Sequence, residues 1–390
     1  MPIYLDYSAT TPPRPEAIAI VQQILQDQWG NPSSLHSWGS RAALALETAR
    51  LQVAQLLNVA NPDCIIFTSG GTESNNLAIF GVTQQYAQPQ HLIISSVEHS
   101  AVSEPARWLE SRGWQVTRLA VDHQGRIDPQ ALAQAMQDNT VLVSIIYGQS
   151  EVGTLQPISE LGRIAQERGV LFHTDAVQCA GRVSLDLAEL PVDLLSLSSH
   201  KLYGIQGSGA LYRRQGVSLH PLLGGGGQEQ GYRSGTQALP AIAAFGIAAE
   251  LAQQELSQEA ERLTQLREQL FTGLADCPLL QPTGSRRHRL PHHVSFVVVD
   301  PGDPGRSLPI TGKTLVRALD RRGIAISAGA ACQSGKLNPS PILLALGYSP
   351  DQALGGIRLT LGRDTTPTDI EATIQALQAA LAEVKICKSV

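Results

Sequence analysis

The sequence has no apolar run long enough to cross a bilayer, and its first residues, MPIYLDYSATTPPRP, lack both a basic start and an apolar core. Neither a membrane span nor a signal peptide is expected, and the reading is cytoplasmic. It also lacks a basic field. Lys and Arg number 29 against 34 Asp and Glu, a net charge of −5, which argues against nucleic acid as the main partner. Cysteine is sparse and scattered: five residues, an odd number, with no CxxC pair. That argues against a disulfide framework or a zinc site, and it fits a reducing cytosol. No metal is expected, and there is no internal repeat or low-complexity tract. What remains is an ordinary globular composition, 43% hydrophobic and 16% charged. At 390 residues the chain is too long for a single core, so two domains are expected.

Over the first two-thirds, apolar runs alternate with helical stretches. The runs include Cys64–Thr68 (CIIFT), His91–Ser95 (HLIIS), Val141–Ile146 (VLVSII) and Val170–Thr174 (VLFHT). Helical patterns follow at Ser74–Val82 and Pro157–Arg168. Continuous apolar strands separated by helices predict an α/β fold with a mostly parallel sheet covered on both faces. Such sheets bind ligands at the carboxyl ends of their strands. From Ala238 to Ala275 a long helical stretch leads toward a second unit, with strands at Val294–Val299 and Gly356–Leu361, a helix near Thr314–Arg322 and a last helix from Thr368. Asp300–Gly312, DPGDPGRSLPITG, reads as a surface loop. Within it Thr311-Gly312-Lys313-Thr314 imitates the end of a phosphate-binding loop, but Ser307 stands where that motif needs glycine.

The chemistry lies just past the strands. CIIFT runs into Ser69-Gly70-Gly71-Thr72, where a tight turn and a helix start would present N–H groups to an anion. HLIIS leads to His99, whose flat ring can lie over a planar cofactor. VLFHT ends at Asp175, a carboxylate placed to pair with a pyridinium nitrogen. DLLSLSS (Asp193–Ser199) leads to His200-Lys201, where a lysine in a crowded pocket would have a lowered pKa and could form a Schiff base with an aldehyde. Each of these has a plainer structural reading when taken alone: a capped helix, a surface histidine, a capping aspartate, a solvated lysine. Their order along the chain is that of fold-type I enzymes using pyridoxal 5′-phosphate (PLP).

The motifs YLDYSATTP, GNPSSLH, TSGGTESNNLAI, VEHSAV, HTDAVQ, LSSHKLYG, GGGQEQGYRSGT, SAGAACQSGKLNPS and IRLTLGR cover nearly the whole chain. On them the sequence resembles cysteine desulfurases of the NifS/IscS-like group, within the class V aminotransferase family. The resemblance implies a large PLP-binding domain over 15–250 with a mostly parallel seven-stranded sheet. It also implies a smaller α+β domain made of 1–14 and 251–390. Lys201 is implied as the cofactor lysine and acid–base group, and His99 as a catalytic residue that stacks on the ring and assists proton transfers. Asp175 would face the ring nitrogen, with Gln178 near the phenolate oxygen. Gly71, Thr72, Ser198 and His200 would hold the phosphate, with Thr236 reaching that of a neighbouring subunit in a homodimer. Arg358, helped by Asn31, would clamp the carboxylate of L-cysteine. Cys332, in a Gly/Ala/Ser-rich segment that can be exposed and mobile, would take the sulfur as a persulfide, releasing alanine, and pass it to acceptors such as an iron–sulfur scaffold. One departure stands out: Ser150 occupies a position where the family often has asparagine, so the tuning of the ring is in question. A selenocysteine or cystine lyase, or a weakly active PLP-binding relative, remains an alternative. Cys332 argues against an aminotransferase, which needs no thiol there.

Overall fold

The computed structural model describes residues 2–300, 310–329, 332–333 and 336–386, with only the backbone given for 332–333, 336–337 and 384–386. Residues 301–309 of the Pro/Gly-rich loop lie outside it.

Seven strands build the main sheet. Their spatial order is Ile65–Thr68, Gly209–Arg213, Leu194–Ser198, Leu171–Asp175, Thr140–Ile146, His91–Ser95 and Gln115–Leu119. Six run in one direction, and only Gly209–Arg213 opposes its neighbours. The central strands are buried along their length on both faces, which explains why they read as unbroken apolar runs rather than alternating ones. The fold is thus α/β with a mostly parallel sheet, as the strand pattern predicts, and its seven strands are the number the resemblance implies. Two strands lacked the expected signal. Gln115–Leu119 is a half-exposed edge strand, QVTRL. Gly209–Arg213 begins on glycine and ends on a half-buried arginine.

A second, antiparallel sheet has the order Ser327–Ala328, Gly356–Thr360, His293–Val298 and Leu280–Pro282, with its own apolar cluster. Helix Leu239–Gly273 serves both cores. Its first part, through Ala252, packs with the main sheet, and Leu263–Phe271 packs with the smaller one. The N-terminus also joins the smaller sheet region: Ile3–Tyr4 pairs with Ile324–Ala325, and Asp6 bridges Thr360. Thr311 caps helix Gly312–Asp320 by accepting the N–H of Thr314, which gives the apparent phosphate motif a purely structural role.

One buried ion pair anchors the segment after the main sheet. Arg50 forks onto Glu229 at 2.7 and 3.0 Å, and Glu229 also accepts the N–H of Phe67 at 2.9 Å. Both side chains are buried, so removing Glu229 leaves the Arg50 charge in the core with only the exposed Glu47, at 3.1 Å, to balance it. Glu229→Ala is expected to cost about 3–5 kcal/mol, read as a lowered denaturation midpoint. A midpoint unchanged from wild type would show that the pair carries no net weight.

Candidate active site

The carboxyl ends of the parallel strands converge on one cavity of about 230 Å³. It is lined by Gly71, Thr72, Asn75, His99, Ile146, Ser150, Asp175, Val177, Gln178, Ser198, His200 and Lys201. Nine of the residues singled out from the sequence therefore meet in one place.

The anion end is built by the turn after Ile65–Thr68. Helix Gly71–Thr83 starts at Gly70 with no side-chain cap, so its first N–H groups have no such partner. The backbone of Gly209 passes so close that a Cβ there would lie 2.6 Å from the Gly70 Cα. Glu73 holds the turn by accepting the Ser69 N–H at 2.8 Å and pairing with Arg233 at 2.8 Å. Thr72, Ser198 and His200 add polar groups at the same cavity.

Asp175 is buried, its oxygens fixed by the Val177 N–H at 3.0 Å and the Asn75 amide at 2.7 Å. Asn75, inside a helix, gave no signal in the sequence. His99 caps helix Ser100–Glu110 through Nδ1, which accepts the Ala101 N–H at 3.1 Å and so fixes the ring. The adjacent residue, Glu98, has its carboxyl pushed up to about 8 by burial and accepts the Ile146 N–H at 2.9 Å.

Lys201 donates to the Ser8 and Ala9 carbonyls at 2.5 and 2.7 Å. Burial first, and then Arg358, push its amine down to about 8. His200 binds Thr10 Oγ1 through Nδ1 at 3.0 Å, and burial together with Lys201 pushes its imidazole down to about 4, so the ring is neutral at pH 7. Gln178 donates to the Ser8 carbonyl at 3.0 Å. The N-terminal strap Ser8–Thr11 is thus part of the site, although it lies about 190 residues from Lys201 in sequence.

Arg358 sits beside the cavity rather than lining it, donating to Asp6 at 2.7 Å and to the Ser150 carbonyl at 3.0 Å. Asn31 and Thr236 are exposed and do not line the cavity. The backbone of Cys332 lies in a short hairpin, Cys332–Gln333 against Lys336–Leu337, and its side chain lies outside the described residues. Among the described residues no cluster of side chains could hold a metal, and no helix is long and apolar enough to cross a membrane.

The sheet and the grouping of lysine, aspartate and an anion-ready helix start at its strand ends define a fold-type I enzyme of the PLP class. The chain belongs to the aminotransferase class-V family, whose model matches residues 3–373; enzymes of this family are PLP-dependent in general. Among curated relatives, a cysteine desulfurase IscS of Dictyoglomus turgidum is 42% identical over 388 residues, covering 98% of this chain and 95% of that protein. Among solved structures, a NifS-like protein superposes with a TM-score of 0.90 at 33% identity, covering 98% of this chain and all of that one. SspA, solved in complex with cysteine, gives a TM-score of 0.81 at 33% identity over 92% of this chain and 98% of its own.

Proposed function

We propose that this chain is a PLP-dependent cysteine desulfurase, converting L-cysteine and the Cys332 thiol into L-alanine and a Cys332 persulfide. The observation that carries the reading is the cavity uniting Lys201, Asp175 and His99 in a chain 42% identical, over nearly all its length, to a cysteine desulfurase IscS.

The residues fit the cofactor. An uncapped helix start with Thr72, Ser198 and His200 suits a phosphate, a buried carboxylate at Asp175 suits a ring nitrogen, and Lys201 suits an aldehyde. When bound, PLP withdraws electrons from the substrate Cα. The chain's own groups would do the rest. Asp175, held by Asn75 and Val177, would keep the ring nitrogen protonated. His99 would stack on the ring. Ser150, in place of an asparagine, would offer a hydroxyl to the ring oxygen, with Gln178 beside it. Lys201, with its amine near 8, is neutral in a useful fraction around neutral pH and would move the proton at Cα. Arg358 would exchange its bond to Asp6 for the substrate carboxylate, where a guanidinium fork binds two oxygens, with Asn31 assisting. The Cys332 thiolate would attack the substrate sulfur: the S–S bond forms, the C–S bond breaks, and a proton enters at Cβ to leave alanine.

Thr236, exposed in the single chain, would complete the phosphate site of a second copy in a homodimer. The large domain would span 15–250, and 1–14 with 251–390 would form the small one. Sulfur acceptors such as an iron–sulfur scaffold, and a cytoplasmic setting, follow from the same reading. The test is product analysis with L-cysteine and a reductant. Alanine and sulfide in equal amounts support the reading. A cofactor-loaded protein that yields neither overturns it.

A further inference from the structure

Four non-glycine residues among those described have positive φ, and Tyr203 is the only aromatic one, at +69° and two residues past Lys201. A bulky residue there is strained and persists only where its surroundings over-determine it. Here they do. The N–H of Tyr203 donates to Thr11 Oγ1 at 2.8 Å, and its carbonyl accepts the Arg14 N–H at 2.8 Å. Its hydroxyl accepts from Arg182 at 3.0 Å and from the Arg363 N–H at 2.9 Å. The guanidinium of Arg182 also lies over the ring, 4.9 Å from its centre. The residue is 2% exposed.

Thr11 ties this turn to the lysine. While accepting from Tyr203, its hydroxyl donates to the His200 carbonyl at 2.9 Å, and its N–H reaches the same carbonyl at 3.0 Å. Lys201 is therefore flanked by two backbone points fixed to one side chain, and its amine meets the Ser8 and Ala9 carbonyls of the same strap.

We propose that Tyr203 is a positioning residue for Lys201: its left-handed turn, braced by Arg182, Arg363 and Thr11, aims the lysine amine into the cavity and away from solvent. The proposal rests on the reading of Lys201 as the cofactor lysine. Charges facing the amine come from Arg358, Asp6 and Asp175, with His200 beside it, but burial is the largest influence. An amine released from this placement regains water, and its pKa climbs toward that of an ordinary lysine.

The test is competitive acetylation of the cofactor-free protein across pH, with Lys201 followed by mass spectrometry. Wild type is expected to titrate near 8. Tyr203→Phe keeps the ring and removes the hydroxyl; Thr11→Val removes the bridge. Each is expected to raise the Lys201 midpoint by about one unit, with circular dichroism unchanged. Folded variants that both titrate as wild type overturn the proposal. Borohydride trapping of the cofactor in wild type reads the premise separately. Label on a residue other than Lys201 sinks the functional reading, whatever the titration shows.

Discussion

Lys201→Ala is expected to lower alanine formation from L-cysteine by about 10²- to 10⁴-fold, the range for removing a general acid–base group. The structure gives this lysine no ordinary surface role. Its amine points inward to two carbonyls, is pushed down to about 8, and stands in the cavity with Asp175 and Ser198. His99, in the same cavity, has its Nδ1 occupied by the Ala101 N–H. His200 is a weak base held near 4, and Arg358, which donates to Asp6 at 2.7 Å, offers a guanidinium that donates hydrogen bonds and accepts none. The variant should also lose the yellow absorbance of the linked cofactor, and borohydride should fix no cofactor to it. A rate within tenfold of wild type, with trapping intact, would show that another amine carries the chemistry.

How much of this is legible in the sequence depends on the range of the contacts. Strand ends are local features. The runs HLIIS, VLFHT and DLLSLSS announce themselves because both faces are buried, and the residue just past each falls at the ligand-binding edge. His99, Asp175 and Lys201 are therefore readable from the order of residues alone. The partners that fix them are non-local. Asn75 reaches Asp175 across 100 residues, and Ser8–Thr11 reach the lysine turn across about 190. No pattern in either segment alone declares such a pairing. The backbone of Tyr203 is equally hidden. A left-handed turn is normally signalled by glycine or asparagine, and here tertiary contacts force it on a tyrosine. Thr236 is exposed in the single chain, and the site proposed for it lies on another copy.

Cys332→Ala is expected to abolish both alanine and sulfide release, by roughly 10³-fold or more, while the protein keeps its yellow cofactor. The other described cysteines cannot serve instead. Cys179 lies nearest the cavity, four residues past Asp175, yet it is wholly buried, and burial together with the Asp175 charge pushes its thiol well above the ordinary value. Burial raises Cys64 as well, and Cys277 packs against the second core, away from the strand ends. A thiol that must accept sulfur and then hand it on needs a readily formed thiolate and access to two partners. The hairpin that holds the backbone of Cys332 lies between Gly329, whose N–H binds the Gly356 carbonyl two residues from Arg358, and Ser340. This ties the thiol segment to the strand that carries the proposed carboxylate clamp. Cys179→Ala is the control and should retain activity. If Cys332→Ala releases alanine and sulfide at the wild-type rate, sulfur leaves the substrate without visiting this thiol, and the enzyme is a lyase of the same fold. If it loses both while Cys179→Ala keeps both, Cys332 is the sulfur carrier.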